Sequence, residues 1–245
     1  MMMKDTDFEI VCTTTPDVYV RFTEWFKSVL ASSDGKISLA LSGGNTPKAL
    51  FEHWATKHRD DVDWKRVQFF WGDERCVPPN DEQSNYKMTK EYLFSQLPIS
   101  ERQIFRIKGE NEPFAEAERY ADVLRRELKG EIPSFDIMML GVGDDGHTAS
   151  IFPNQLALWD SPQTCVVGIH PQSGQKRVSL SGRTINAAKN IAFLVTGKNK
   201  AEKLREIIGN RNQAEKTYPA AKVAPQSGRL LWFLDEDAAE AIKKG

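Results

Sequence analysis

Three cysteines, Cys12, Cys76 and Cys165, are too few and too scattered for a disulfide framework, and no CxxC pair offers a zinc-ribbon signature. Buried thiols in a reducing compartment are the expected state. An excess of one charge is also lacking. Lys and Arg number 33 against 34 Asp and Glu, a formal net charge of −1, which argues against nucleic acid or an anionic membrane as the main partner. No apolar run approaches the ~20 residues that span a bilayer; stretches such as 37–41 and 191–195 are short and interrupted. The first residues, Met1 to Asp7, are acidic where a secretion signal needs its apolar segment. A cytoplasmic protein is therefore expected. There is no internal repeat and no low-complexity tract. At 245 residues and 40% hydrophobic, the chain is long enough to bury roughly 70–75% of its unfolded surface without covalent staples. One large domain or two small ones fit a chain of this length.

Two kinds of segment alternate. Short β-rich runs at 8–12, 36–41, 66–71, 135–140, 164–169, 176–181, 190–196 and 229–234 end in glycine or polar residues. Segments with helical spacing fall at 17–32, 47–57, 84–95, 113–129, 184–188, 199–208 and 236–243. Several strands, such as Phe135-Asp136-Ile137-Met138-Met139-Leu140, are almost continuously apolar, as parallel strands buried on both faces are. The alternation predicts βαβ crossovers and an α/β fold with an open, mostly parallel sheet flanked by helices. Ligands of such sheets bind beyond the carboxyl ends of the strands, so polar residues just after strands are the candidates. The stretch 77–85 reads as a surface or active-site loop, and 209–228 as an irregular return to the last strand.

Four loops qualify. The first is Leu41-Ser42-Gly43-Gly44-Asn45-Thr46-Pro47. Its glycines allow a tight turn and close approach of backbone to a ligand. Thr46 is placed to cap a helix that starts at Pro47, and the free amides of a helix start attract anions. It is neither a Walker A loop nor a GxSxG elbow around Ser42. The second, Gly72-Asp73-Glu74-Arg75, sets two carboxylates beside an arginine whose fork suits phosphate; a surface ion-pair cluster is the plainer alternative. The third, Gly141-Val142-Gly143-Asp144-Asp145-Gly146-His147, matches GxGxxG, but two aspartates inside the loop would repel a pyrophosphate. It is better suited to presenting His147 in a cleft, where a neutral imidazole can take a proton from water. A metal at Asp144, Asp145 and His147 lacks a second well-placed histidine. The fourth, Gly197-Lys198-Asn199-Lys200, puts Lys200 early in a helix, where its charge opposes the dipole and hints at an anion. For His53, His58 and His170 a structural role is expected.

Taken together, these loops resemble the 6-phosphogluconolactonases within the glucosamine-6-phosphate isomerase/6-phosphogluconolactonase family. The matching stretches are 41–47, 73–78 with Ser84-Asn85-Tyr86, 141–153 and 196–200, with Leu231-Trp232-Phe233-Leu234-Asp235 like the family's last strand. The resemblance runs in order over roughly residues 8–241. It implies a single domain over 1–245 with a modified Rossmann-like fold, and hydrolysis of 6-phospho-D-glucono-1,5-lactone, a small sugar-phosphate lactone, with no metal or organic cofactor; it implies no particular oligomeric state. Deaminases of the family carry an Asn-Glu-Pro trio where this chain has Ile151-Phe152-Pro153, and Asp-Glu-Tyr where it has Asp73-Glu74-Arg75. Both differences favour the lactonase. Ser181-Gly182-Arg183 departs from the apolar or proline residues common there.

The expected chemistry makes His147 the general base on water, oriented by Asp145 or Asp73. The substrate phosphate is expected on Ser42, Gly43, Gly44, Asn45 and Thr46, with Arg75 and Lys200 supplying charge; Arg75 facing the oxyanion is the alternative. The rivals are a deaminase, a non-catalytic sugar-phosphate sensor and a nicotinamide-binding module.

Overall fold

The computed structural model describes residues 2–4, 8–128 and 130–242. In chain order the strands are β1 (Met2–Lys4), β2 (Glu9–Thr13), β3 (Ile37–Leu41), β4 (Val67–Trp71), β5 (Asp73–Arg75), β6 (Ile137–Leu140), β7 (Cys165–Ile169), β8 (Lys176–Leu180), β9 (Asn190–Val195) and β10 (Arg229–Asp235). The α-helices are α1 (Thr15–Ala31), α2 (Asn45–Lys57), α3 (Asn85–Thr89), α4 (Pro113–Leu128), α5 (Gly182–Asn186), α6 (Ala201–Gly209) and α7 (Arg211–Ala214).

Among the described residues, seven strands form the main sheet in the order β1-β2-β10-β9-β6-β3-β4. All neighbours are parallel except β1 with β2. The near-continuous apolar runs are its centre: every residue of β3 and β6 is buried. Apolar residues at helical spacing lay α1 on this sheet, where Phe22 meets Phe233 edge-on at 5.1 Å between centroids. Between β9 and β10, Phe193 and Trp232 stack at 3.9 Å.

Order along the sheet differs from order along the chain at one functional place. The chain leaves β3 through α2 toward β4 on one side, whereas β6 is followed in the sheet by β9 on the other. The connections leaving the carboxyl ends of the paired strands β3 and β6 therefore run in opposite directions, opening the crevice at which α/β sheets take their ligands.

The strands expected at 164–169 and 176–181 do not join that sheet. No helix separates them, so they pair antiparallel, and with β5 they make a small sheet in the order β5-β8-β7. The single residue Gly72 links β4 to β5 and bonds Leu41 and Leu180 through its backbone, tying the two sheets together. Tyr120 of α4 clamps the same corner, its hydroxyl accepting from Trp71 N at 3.0 Å and donating to Trp71 O at 3.1 Å.

Several helix ends shift by one or two residues from expectation, and two segments differ in kind. The segment 236–243 is a series of turns over its described residues, not a helix. Asp235 starts it like a helix cap, accepting from Ala238 N at 2.8 Å. The same carboxylate is shared with Gly197 N and Thr15 Oγ1; after a single i-to-i+4 bond, Ala239 N to Asp235 O at 3.0 Å, the remaining bonds run i to i+3. At 84–95, α3 passes into a π-helical turn over Lys90–Phe94.

Candidate active site

The loop after β6 folds back on itself. Gly143 N donates to His147 O and Gly146 N to Gly143 O, each at 2.9 Å, while Thr148 Oγ1 anchors Gly141 O at 2.9 Å. This curl lays the imidazole over Gly143 so closely that a β-carbon there would stand 2.1 Å from His147 Nδ1. Glycine is required by contact at this position, beyond any conformational preference. Ala149, two residues on, is held at φ 47°, the sole non-glycine residue with positive φ among those described, a local strain carried at a cleft-lining position. From outside, Tyr218 packs on Gly146 and Ala220 N donates to Gly146 O at 3.2 Å. The irregular segment 209–228 is thus a brace for this loop.

Asp145 holds His147 twice, at Nδ1 (2.6 Å) and at the backbone N–H (3.0 Å). Burial pushes the Asp145 carboxyl up, but the hydrogen bond and charge of His147 outweigh it and bring it down to about 2. A carboxylate so held only accepts, so Nδ1 carries the hydrogen and Nε2 keeps its lone pair. Asp73, the other candidate orienter, is buried and bound to Ser150 Oγ at 2.6 Å. Beneath the imidazole lies the fully buried Phe152 ring, 4.8 Å away between centroids.

The opposite wall is the turn after β3. Here the expected cap is corrected: α2 begins at Asn45 with Gly44 as its N-cap, at φ 104°, and Thr46 lies inside the first turn. Thr46 Oγ1 instead bonds Thr196 Oγ1 at 2.8 Å. Behind Gly43 stands Asn85, whose Nδ2 donates to Asp73 O at 3.0 Å and whose side chain fills the space of a β-carbon on Gly43. Glu74, paired with Asp73 in the motif, turns away from this wall. It accepts from the backbone N–H groups of Arg75, Asn85 and Tyr86 and from Ser84 Oγ, fixing the loop that delivers Asn85.

The floor is cationic. Arg75 and Arg177 face each other across the β5–β8 pair, like charges directly opposite, an arrangement that disfavours the unliganded sheet. Each has a buried Nε–H with no hydrogen-bond partner among the described residues. Burial lowers the Arg177 pKa, although its guanidinium also lies over the Phe152 ring at 5.6 Å.

These walls enclose a cleft of about 190 Å³ lined by Ser42, Gly43, Gly44, Asp73, Arg75 and His147 of the expected residues, together with Arg177 and Asn85. Asp145 stands behind His147. Asn45, Thr46 and Lys200 are outside the lining; Lys200 pairs with Asp144 of the histidine loop. Arg183 lies on the surface, 4.0 Å from Glu131. Among the described residues, no three His, Cys, Asp or Glu side chains gather to hold a metal ion. Arg177 carried no signal in the sequence, and Ser150 fell within the matching stretch 141–153 without a role of its own. Arg177 sits inside a readable strand, but its opposition to Arg75 depends on an antiparallel register no local pattern gives.

The sequence profile of the glucosamine-6-phosphate isomerases/6-phosphogluconolactonase family matches residues 14–232. The chain belongs to this family. Among the family's curated members, it is 48% identical over 174 residues to the 6-phosphogluconolactonase of Treponema pallidum, covering 70% of this chain and 72% of that one. It is 42% identical over 210 residues to that of Haemophilus influenzae, covering 84% and 88%. A solved structure described as devB protein superposes with a TM-score of 0.87 at 41% identity, over 95% of this chain and 99% of that one. Where the family's deaminases are expected to carry a glutamate, Phe152 places an apolar ring against the imidazole, and Asp145 is the carboxylate bonded to it.

Proposed function

We propose that this chain hydrolyses 6-phospho-D-glucono-1,5-lactone to 6-phospho-D-gluconate, with His147 as general base. One observation carries the reading: an imidazole fixed through Nδ1 by Asp145 shares a small cleft with a glycine-lined helix start and two opposed arginines. The names of the most similar relatives agree with it.

The lactone is an activated ester, so a water molecule is nucleophile enough once deprotonated. His147 Nε2 takes a proton from that water as its oxygen bonds to C1. The tetrahedral intermediate collapses, the C1–ring-oxygen bond breaks, and the imidazolium returns the proton to the departing oxygen. General-base assistance of this kind supplies about 10²–10⁴-fold. The phosphate rests on the amides of the Ser42–Thr46 turn, chiefly Gly43 and Gly44, with Arg75 and Arg177 neutralising its charge. Asp73 offsets the two guanidinium groups and holds Ser150. Lys200 contributes charge from the rim, where it is shared with Asp144. Fixing the distal phosphate sets the carbonyl against the water, so phosphate contacts raise turnover as well as affinity.

The test is His147→Ala, assayed for lactone loss against an enzyme-free control because the lactone also opens spontaneously. Turnover should fall about 10²–10⁴-fold, with 6-phosphogluconate binding nearly unchanged. Near-full activity in the variant would remove His147 as the base. Ammonia release from glucosamine 6-phosphate by the unmodified protein would instead establish a deaminase.

A further inference from the structure

At the far end of α2 from the cleft, two histidines meet. His53 lies in the penultimate turn of the helix and His58 is its C-cap. Their Nε2 atoms are 3.2 Å apart. Their ring centroids are 5.0 Å apart and their planes inclined by 53°. A nitrogen separation of 3.2 Å leaves room for one ion at the length of a zinc–imidazole bond (~2.0–2.1 Å) from both nitrogens. The nitrogen separation is likewise the bite of two adjacent ligands on one tetrahedral ion.

The surroundings hold this geometry without a ligand. His58 N donates to Trp54 O and its own carbonyl accepts from Trp64 Nε1, both at 2.9 Å. Its Nδ1 lies 3.0 Å from both oxygens of Asp61, which is steadied in turn by Lys27 Nζ at 2.9 Å. A carboxylate on the distal nitrogen fixes the tautomer that leaves Nε2 free to ligate, the outer-shell arrangement of many metal-bound histidines. His53 is then the donor in the Nε2–Nε2 contact. On ion binding it moves its hydrogen to Nδ1, and the ion takes the place of that N–H bond without net proton release.

We propose that His53 and His58 form a two-imidazole surface site for a borderline divalent transition-metal ion, with Asp61 as outer-shell partner and water filling the remaining positions. Imidazole selects zinc, nickel or copper; magnesium and calcium, which require oxygen ligands, should not bind. The site is separate from the catalytic cleft and does not depend on the lactonase reading.

The experiment is calorimetric titration of the tag-free protein with Zn²⁺ and with Ni²⁺, paired with thermal melting. One saturable site per chain and a melting point that rises with metal are expected, because the ion binds the folded clamp. His53→Gln and His58→Gln should each weaken binding at least tenfold, and Asp61→Asn by about tenfold. His170→Gln, with Mg²⁺ as the ion control, should change nothing. Circular dichroism and metal-free melting confirm that each variant folds. Absence of a saturable site, unchanged affinity in both His53 and His58 variants, or loss of binding in His170→Gln would each overturn the proposal.

Discussion

An imidazole serves as a base only when one nitrogen is held and the other left bare. His147 meets that condition through Asp145, two residues away in the same curl. Asp145→Asn keeps the shape but lets the amide donate, favouring the tautomer that puts hydrogen on Nε2. Turnover should drop about 10²–10⁴-fold with little change in ligand affinity, read from separate kcat and KM values; a similar exchange beside a catalytic histidine elsewhere costs about 10⁴-fold. The same residue sets an acid limit. Its carboxyl is depressed in the fold from 3.8 to about 2. Its contribution to stability is therefore complete above pH 3.8 and is lost as pH falls through about 2. Urea denaturation across that window should show a flatter pH dependence for Asp145→Asn than for the unmodified chain, by a small margin because the side chain is partly solvated. His147, Asp145 and the need for glycine around them were legible because all are packed into seven consecutive residues. Arg177 was not legible, since its meaning arises only when β8 sets it opposite Arg75.

Among the elements, β5 and the loop after it show how a motif residue can serve structure while its neighbours serve the site. Burial pushes the Glu74 carboxyl up, while the N–H groups of Tyr86, Asn85 and Arg75 favour its charged form. Those donors, with Ser84 Oγ, are what the side chain exists to satisfy. Glu74→Ala would strand them, three of them backbone amides. At roughly 1–3 kcal/mol for a buried donor left without partner, partly relieved by water, the loss should be about 2–4 kcal/mol in chemical denaturation. KM should rise too, because the loop carries Asn85 against Gly43. A loss below about 0.5 kcal/mol, within the range of ordinary surface substitutions, would mean the loop holds itself. The eight apolar strands could be read from sequence because burial on one or both faces leaves a periodic trace. Three-residue β5 has too little length for one. The turns at 236–242 carry helix-like composition, yet Asp235 spends its carboxylate on Gly197 and Thr15 as well as on the chain that follows. Tertiary demand overrides local propensity there.

For the whole molecule, the decisive feature is that the cleft belongs to neither sheet alone. Gly43, Gly44 and His147 come from the loops after β3 and β6 of the main sheet, whereas Arg75 and Arg177 come from the small antiparallel sheet. Two opposed guanidinium groups make the unliganded arrangement costly, so an anion that neutralises both while resting on the main sheet's amides should stabilise the assembly as a unit. At 100 times its dissociation constant a ligand adds about 2.7 kcal/mol, and for a chain of this size each kcal/mol moves the melting point by about 2–4 °C. 6-Phosphogluconate at that excess should therefore raise the melting point by about 5–10 °C, measured by calorimetry at fixed ionic strength. Gluconate, which lacks the phosphate, should do far less at equal concentration. Arg177→Met relieves the repulsion and removes half of the anion's counter-charge. With the Arg75 repulsion relieved but the attraction to buried Asp73 lost, its melting point without ligand should change little, and its response to 6-phosphogluconate should largely vanish. A variant that kept the full ligand-induced shift would place the phosphate away from the small sheet and leave the opposed arginines without the role given to them.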